Sequence, residues 1–196
     1  MNTIHSIALF CGSAEGQHDK YKSLASEFGT ACAQRHITLI YGGARIGLMA
    51  AAAVAAAQGG GKVIGIAPRL FSSNEVLADN LDELLMVNSM SERKQLMEQK
   101  ADAFVVLAGS YGTMDEFFEV LTDAQLGLHH KPIIILNAFG YYTPLLAQLA
   151  HFRDEGFLHP QHFDMLLVAE TVEEIFLKLE NYKYNNSSSW LDKIKA

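Results

Sequence analysis

Short runs of aliphatic and β-branched residues alternate with helix-length segments along most of this chain of 196 residues. Apolar runs of four to eight residues are typical of buried strands, and the longer amphipathic segments between them are typical of helices. An order of strand, helix, strand implies that neighbouring strands are parallel, because a helix carries the chain back to the starting edge of the sheet. The sequence therefore predicts an α/β protein with a doubly wound parallel sheet and helices on both faces.

The predicted elements follow one another without a repeat or an interdomain linker. Strands are predicted at residues 4–10, 37–41, 62–67, 84–87, 103–107 and 132–136. Helices are predicted at residues 19–35, 46–58, 91–100, 114–126, 142–155 and 172–182. Residues 1–182 are accordingly expected to form a single domain, and residues 183–196, which include a serine-rich patch, to form a flexible tail.

Charge and cysteine content exclude several classes of protein. A formal net charge of −7 argues against general nucleic-acid binding, which depends on clustered Lys and Arg. Cys11 and Cys32 are too few for a disulfide framework, and neither they nor the histidines have metal-ligand spacing. The longest run of small apolar residues, 47–57, is shorter than the ~20 residues that span a bilayer. We expect a cytoplasmic protein with no metal, no nucleic-acid partner and no membrane association.

Glycine-rich turns follow three of the predicted strands. They are Cys11-Gly12-Ser13, Tyr41-Gly42-Gly43 and Ala108-Gly109-Ser110. In a parallel sheet all three lie at one edge, and ligands of open α/β sheets bind beyond the carboxyl ends of the strands. Glycine there lets backbone N–H groups approach a phosphate at a helix N-terminus. One such turn would indicate only a change of chain direction, but three together predict an anion site.

The two most familiar nucleotide motifs do not fit. The segment Gly42-Gly43-Ala44-Arg45-Ile46-Gly47 has alanine at the middle glycine of G-x-G-x-x-G, and no ribose-binding acid lies about 20 residues further on. The P-loop pattern also fails, because Gly61-Lys62 is followed by valine. Neither a nicotinamide cofactor nor ATP hydrolysis through a P-loop is predicted.

Two adjacent cations stand at the start of a predicted helix. Ser89 and Glu92 fit a capping box, which places Arg93 and Lys94 in the first turn. The helix dipole disfavours cations at that end by about 0.3–1 kcal/mol. Either the two side chains serve an anion held by the site, or they are solvated surface charges, and the spacing alone does not separate these alternatives.

Glu116 also has two interpretations. Thr113 and Glu116 fit a second capping box, in which the glutamate would only satisfy the helix N-terminus. Alternatively, a carboxylate one helical turn from a bound phosphate could stabilise positive charge on a ribose or activate water. The first role does not exclude the second.

Taken together, these motifs resemble the Lonely Guy (LOG) family of cytokinin-activating phosphoribohydrolases, many of which have been labelled possible lysine decarboxylases. The resemblance runs from the first strand to about Glu180. Besides the three glycine turns, it rests on these segments: Gly47-Leu48-Met49, Met90 with Arg93-Lys94, Gly112-Thr113 with Glu116, Gln125-Leu126-Gly127-Leu128-His129, Lys131-Pro132 and Gly140-Tyr141-Tyr142.

The resemblance implies a Rossmann-like homodimer that hydrolyses the N-glycosidic bond of an N6-substituted adenosine 5′-monophosphate, without a cofactor. The products would be the free base and ribose 5-phosphate. Arg93 and Glu116 match the catalytic pair. The positions that match substrate contacts are Ser13, Gly43, Glu75, Met90, Lys94, Gly109, Ser110, Tyr111, Gly112, Thr113, Met114, Asp115 and Thr122.

Four positions depart from the family pattern. Ala108 and Ser110 replace the proline and the second glycine of P-G-G-x-G-T-x-x-E, Ala50 replaces the last glycine of G-L-M-G, and Asp123 stands where tryptophan is frequent. If the backbone at position 110 had a positive φ, serine would be strained there; otherwise its hydroxyl could contact the phosphate. Asp123 is expected to alter the pocket for the N6 substituent.

Three other functions are alternatives to hydrolysis of an N6-substituted nucleotide. Unmodified AMP as the substrate would make the protein a general AMP nucleosidase of nucleotide salvage. A noncatalytic carrier of a nucleotide or a pterin cofactor would suit the altered glycines, although retention of Arg93 and Glu116 favours an enzyme. A pyridoxal-dependent decarboxylase is rejected, because Lys94 beside Arg93 suits phosphate better than a Schiff base.

Overall fold

The predicted alternation of strands and helices is present in the computed structural model, which describes residues 4–71, 77–78 and 81–184. The strands in these ranges are β1 (Ser6–Phe10), β2 (Thr38–Tyr41), β3 (Val63–Pro68), β4 (Glu83–Val87), β5 (Ala103–Val106), β6 (Ile133–Leu136) and β7 (Leu166–Ala169). The helices are α1 (Asp19–Gln34), α2 (Gly47–Gln58), α3 (Met90–Lys100), α4 (Tyr111–Leu126), α5 (Thr143–Asp154), α6 (Pro160–Phe163) and α7 (Val172–Glu180). Short 3-10 turns occupy Arg69–Phe71 and Ala138–Gly140.

The strands form one parallel sheet in the order β4-β3-β2-β1-β5-β6-β7. The order changes direction at β1, where Ile7 lies opposite Leu39 of β2 on one side and Ala103 of β5 on the other. A change of this kind leaves a crevice beyond the carboxyl ends of the two central strands. The Rossmann-like, doubly wound parallel sheet predicted from the sequence is therefore confirmed.

Helices cover both faces of the sheet. Phe28 of α1 and Phe176 of α7 pack in one core, and Met97 of α3 and Phe117 of α4 pack in the other. Successive residues of β1 alternate between the two cores, as the two-residue period of a strand requires. Because the central strands are covered on both sides, they read in the sequence as continuous apolar runs rather than as alternating patterns.

The small residues of α2 let it approach α1 closely. A Cβ atom on Gly29 of α1 would lie 2.0 Å from the carbonyl oxygen of Ala52 on α2, so no side chain fits at position 29. This contact fixes α2, whose first residue, Gly47, has a φ of 62° and lies against Ser13. The packing of α2 against α1 thus holds the start of α2, which follows β2, against the turn that follows β1.

Two elements of the structure, β7 and α6, were not predicted from the sequence. Leu166–Ala169 is a four-residue edge strand whose first three residues are only half buried. An apolar run of only four residues does not distinguish a strand from a helix. The segment is a strand because it pairs with β6, where Ile133 lies opposite Leu166, and this long-range pairing is not visible in the local sequence. The start of α4 was also misplaced, since the helix begins at Tyr111, three residues before the predicted position.

Two further expectations concern the chain ends and the membrane. Residues 185–196 of the predicted tail lie outside the described residues, while the ring of Tyr184 stacks on His130 with centroids 3.9 Å apart. Across the described ranges, no helix is both long enough and apolar enough to cross a membrane.

Candidate functional site

A cavity of about 360 Å³ lies beyond the carboxyl ends of β1, β2 and β5. Residues from all three predicted glycine turns line it, together with side chains from α3 and α4. Seven of the predicted site residues meet here: Ser13, Met90, Arg93, Ser110, Gly112, Thr113 and Glu116. The sheet therefore brings together segments of the sequence that are more than a hundred residues apart, such as those of Ser13 and Glu116.

Arg93 and Glu116 form an ion pair at the wall of this cavity. Nη1 of Arg93 donates to Oε1 of Glu116, and Nε of Arg93 donates to the carbonyl oxygen of Ile66 at 3.1 Å. Both residues are buried, with 7% and 8% of their surfaces exposed. Gly42 makes room for the guanidinium, because a Cβ atom at that position would lie 2.2 Å from Nη2. The pair fixes the direction of both side chains.

Burial also changes the proton affinity of two groups in the cavity. It raises the pKa of Glu116 above the ordinary value, although the positive charge and the hydrogen bond of Arg93 act in the opposite direction. Burial likewise raises the pKa of the Cys11 thiol, and the negative charge of Glu116 adds to the effect. Cys11 therefore remains a neutral thiol at physiological pH and does not suit the role of a nucleophile.

The N-terminus of α4 lies at the cavity wall, where Ser110, Gly112 and Thr113 are part of the lining. Ser110 is the N-cap residue and makes no side-chain cap, and the N–H of Met114 is the first to bond back, to the Ser110 carbonyl at 2.9 Å. The amides of Tyr111, Gly112 and Thr113 therefore have no partner within the helix. Such a turn attracts anions through free N–H groups and the helix dipole.

The turn before α4 is closely packed. A Cβ atom on Gly109 would lie 2.1 Å from Oγ1 of Thr113, so position 109 requires glycine. Ser110 has a φ of −124°, so the positive φ that would strain a serine in place of the family's glycine does not occur. Ala108 is likewise accommodated, with its carbonyl accepting a hydrogen bond from the N–H of Gly12 at 2.9 Å.

The two capping boxes have different outcomes. Oγ of Ser89 accepts a hydrogen bond from the N–H of Glu92 at 3.1 Å, but the Glu92 carboxylate accepts from the N–H of Asn88 instead of Ser89. The box of Thr113 and Glu116 is wrong, because the helix begins before Thr113 and the Glu116 carboxylate turns to Arg93. Glu116 therefore has no capping role.

Lys94 is neither directed at an anion in the cavity nor a solvated surface charge, the two alternatives that the sequence left open. Its Nζ lies 3.0 Å from Oδ2 of Asp115 and 2.5 Å from Oε2 of Glu119, so it binds carboxylates of α4 rather than solvent or the cavity. Although partial burial acts in the opposite direction, hydrogen bonds to these carboxylates raise the pKa of Lys94. A lysine held as an ammonium ion is not poised to form a Schiff base.

None of the other predicted contacts that fall within the described residues lines this cavity. Gly43 has a φ of 73° and binds the N–H of Ala78 through its carbonyl at 3.0 Å. Tyr111 is exposed, Met114 packs in the core, and Glu75 lies outside the described residues. Thr122 lines a separate cavity between α4, α5 and α6. It stands six residues beyond Glu116, about 9 Å along the helix axis.

An apolar half of the cavity was not predicted. Ile46, Met49, Phe71 and Leu77 contribute to its lining, and the buried Cys11 is also part of the wall. Phe71 could have been found from the sequence, because it closely follows the carboxyl end of β3, which lies at the same edge of the sheet as the glycine turns. Asp123 does not line this cavity, because its carboxyl group lies against Glu98 of α3.

Within the ranges that the structure describes, no group of three or more His, Cys, Asp or Glu side chains could hold a metal ion. The chemistry open to the cavity is that of a buried carboxylate held by an arginine beside a helix N-terminus. That combination suits a ligand with an anionic group and a bond that breaks with development of positive charge.

The chain is similar in sequence to proteins of one known family. Residues 49–179 match the family model described as "Possible lysine decarboxylase". The chain is 44% identical to the cytokinin riboside 5′-monophosphate phosphoribohydrolase of Rhodococcoides fascians over 87% of each chain. It is 40% identical to the cytokinin riboside 5′-monophosphate phosphoribohydrolase LOG1 of Arabidopsis thaliana, over 94% of this chain and 89% of that one.

Solved structures with a similar fold include two proteins that bind or carry the molybdenum cofactor. The molybdenum cofactor binding protein of Rippkaea orientalis matches with a TM-score of 0.70 and 20% identity, over 92% of this chain and 98% of that one. The molybdenum cofactor carrier protein of Chlamydomonas reinhardtii matches with a TM-score of 0.67 and 19% identity, over 89% of this chain and 95% of that one. At these identities the likeness concerns the fold alone.

Proposed function

Because the chain belongs to the Lonely Guy (LOG) family of cytokinin riboside 5′-monophosphate phosphoribohydrolases, we propose that it hydrolyses the N-glycosidic bond of an N6-substituted adenosine 5′-monophosphate. The products are the free base and ribose 5-phosphate. The observation that carries this proposal is the buried pair of Arg93 and Glu116, which stands at the wall of the cavity beside the N-terminus of α4.

The 5′-phosphate binds at the start of α4. The free amides of Tyr111, Gly112 and Thr113 offer donors to its oxygens, and the helix dipole favours its negative charge. The hydroxyl of Ser110 adds a donor that the family's glycine lacks. Since the chain carries a net charge of −7, this local arrangement has to supply the attraction that the protein as a whole does not.

Glu116 acts on the ribose. When the bond between C1′ and the base nitrogen breaks, the electron pair leaves with the base and positive charge develops on the ribose ring. Water then adds, so that its hydroxyl group bonds to C1′ and its proton finally passes to the base nitrogen. An ionised Glu116 stabilises that charge or accepts the proton of the attacking water. Arg93 keeps the carboxylate in place, since its guanidinium is itself anchored to the carbonyl of Ile66.

The N6 substituent occupies the apolar half of the cavity. Met49, Phe71, Leu77 and Met90 offer an apolar surface that a prenyl group buries better than an unsubstituted amino group does. One added apolar group in such a pocket favours the larger substrate by about 1–3 kcal/mol. This preference separates the proposal from a general AMP nucleosidase.

Separate incubations with AMP and prenylated AMP test the proposal. We expect base and ribose 5-phosphate from both nucleotides, with a kcat/KM about 10-fold or more higher for the prenylated one. An equal or higher kcat/KM for AMP would indicate the general nucleosidase. Tight binding of a nucleotide that is never hydrolysed would indicate the noncatalytic carrier, to which the fold is also similar.

We further propose a homodimer formed through α4, α5 and α6. An apolar cavity of about 450 Å³ lies between these helices, and Phe118, Phe152 and Phe157 are exposed around it. Exposed aromatic side chains around a groove are typical of an interface, and a twofold axis would place the same patch on both copies. Thr122 lies on this surface, so its predicted contact with substrate would be made through the second copy.

The remaining proposals concern domain organisation and compartment. Residues 1–182 act as a single domain, which the continuous seven-stranded sheet supports. A cytoplasmic location is supported by Cys11 and Cys32, which are buried and unpaired. Free thiols of this kind are characteristic of a reducing compartment.

A further inference from the structure

A tyrosine from a neighbouring loop holds the turn that leads into α4. The hydroxyl of Tyr141 donates to the carbonyl oxygen of Gly109 at 2.7 Å, across 32 residues of sequence. Gly109 is the residue before Ser110, the N-cap of α4. The loop between β6 and α5 is thereby tied to the turn at which the proposed phosphate site begins.

The position of Tyr141 is itself closely determined. Phe139 and Gly140 precede it with φ values of 57° and 70°, and a bulky residue rarely adopts the left-handed conformation. Oδ1 of Asn137 accepts a hydrogen bond from the N–H of Tyr142 at 2.8 Å, which closes this turn. The ring of Tyr141 meets the edge of Tyr21 at 5.5 Å between centroids. The hydroxyl therefore approaches Gly109 from a fixed direction.

The geometry of the peptide bond carries this constraint to Ser110. In a trans peptide the N–H points away from the preceding carbonyl, so a carbonyl of Gly109 that faces Tyr141 directs the Ser110 N–H to the opposite side. Tyr141 and Gly109 line a smaller cavity of about 160 Å³, whereas Ser110 lines both this one and the main cavity. A hydrogen bond to the carbonyl also strengthens the N–H of the same amide as a donor.

We propose that Tyr141 is a positioning residue for phosphate binding, which acts by orienting and polarising the Gly109–Ser110 peptide. This inference rests on the proposed function for the identity of the anion. Tyr141 does not take part in bond cleavage, because its hydroxyl is engaged by Gly109. Its removal should weaken the hold on the phosphate and leave the chemistry of Glu116 largely unchanged.

The test compares Tyr141→Phe with Tyr182→Phe. Each substitution removes one hydroxyl that donates to a backbone carbonyl, but Tyr182 binds His130 at the opposite end of the sheet. For Tyr141→Phe we expect the KM of the nucleotide and the inhibition constant of ribose 5-phosphate to rise about three- to tenfold. The kcat, the inhibition by free adenine and the melting temperature should stay near the values of Tyr182→Phe.

Unchanged KM and unchanged ribose 5-phosphate inhibition in Tyr141→Phe would overturn the inference. A parallel rise in the inhibition constants of ribose 5-phosphate and adenine would also overturn it, because it would indicate a general structural effect. If the wild type releases no base from any nucleotide, the proposed function fails instead. Calorimetry with ribose 5-phosphate then tests the inference independently of catalysis. Equal affinity of the wild type and Tyr141→Phe for ribose 5-phosphate, or no binding by either protein, would contradict the inference.

Discussion

Arg93 of α3 and Glu116 of α4 meet in a buried ion pair, although they are 23 residues apart in the sequence. The pair joins two helices on the same face of the sheet at the carboxyl edge, where the cavity opens. Removing one partner of such a pair leaves an uncompensated buried charge. The same contact therefore affects both the stability of the fold and the proposed chemistry.

Replacement of Glu116 by glutamine should remove most of the activity. The amide keeps the shape of the side chain but carries no charge to stabilise the ribose cation and accepts no proton, so we expect kcat to fall by about 10²- to 10⁴-fold. Chromatographic measurement of base release checks this. Glu119→Gln is the matched control, because Glu119 lies on the same helix as Glu116 but outside the cavity, where it binds Lys94 of α3. A Glu116→Gln rate close to that of the control would contradict the assignment.

The ion pair should show energetic coupling. Arg93→Met and Glu116→Gln each break a buried pair and should lower the free energy of unfolding, by up to about 3–5 kcal/mol. The double variant Arg93→Met/Glu116→Gln leaves no unpaired charge behind. Its decrease in the free energy of unfolding should therefore be smaller, by about 1–3 kcal/mol, than the sum of the decreases in the two single variants. Urea unfolding of the four proteins measures this difference. Simple additivity would show that the two side chains do not stabilise each other.

The pH dependence of kcat/KM should report the ionisation of Glu116. Burial raises its pKa above the ordinary 4.5, and the carboxylate is the active form, so activity should fall with decreasing pH at a midpoint above 4.5. Arg93 lowers the pKa of Glu116, so the residual activity of Arg93→Met should fall at a still higher pH. An acid midpoint that stays in place or moves to lower pH in Arg93→Met would contradict this account.

His129 should make the stability of the fold depend on pH. It is buried, its Nε2 lies 2.9 Å from the Val120 carbonyl, and its Nδ1 accepts from the N–H of Lys131, an arrangement that requires the neutral ring. Burial lowers the pKa of His129 below 6.5, while in the unfolded chain the ring takes up a proton near 6.5. The contribution of the neutral His129 to the free energy of unfolding is therefore complete above about pH 6.5. As the pH falls below that value, this contribution decreases by at most about 1.4 kcal/mol per pH unit.

Urea unfolding between pH 7.5 and pH 5.5 checks the role of His129. His129→Gln should show a smaller loss of stability towards low pH than the wild type. The exposed His151, changed in the same way, is the control and should leave the wild-type dependence intact. Identical pH dependence in His129→Gln and the wild type would show that another group is responsible.

The proposed dimer should depend on Phe157. This side chain is 87% exposed at the rim of the groove between α4, α5 and α6, and it makes little contribution to the core of one chain. Phe157→Ser should therefore shift the sedimenting mass from two chains to one without lowering the melting temperature. A wild type that already sediments as a single chain would overturn the homodimer.

The fold and the location of the site were predictable because their signals are local. Parallel strands leave continuous apolar runs, and the glycine turns at Gly12, Gly42 and Gly109 mark the strand ends at one edge. The topology then places these turns together without further information. Position 109 shows why the signal is strong, since only glycine leaves room for the Thr113 hydroxyl.

The partners of the charged side chains were not predictable in this way. The spacing of Thr113 and Glu116 fits a capping box, and nothing in that local pattern reveals that Arg93 lies opposite the carboxylate. The same holds for Lys94, whose carboxylate partners lie on a different helix. Such contacts depend on how α3 and α4 pack against the sheet, which the period of each helix does not specify.

The identity of the products formed from prenylated AMP tests the central claim most directly. The wild-type protein is incubated with the nucleotide, and the free base and ribose 5-phosphate are quantified together, with Glu116→Gln as the blank. We predict equal amounts of the two products from the wild type and almost none from the variant. Release of the riboside with inorganic phosphate, or no product at all, would contradict cleavage of the N-glycosidic bond at this site.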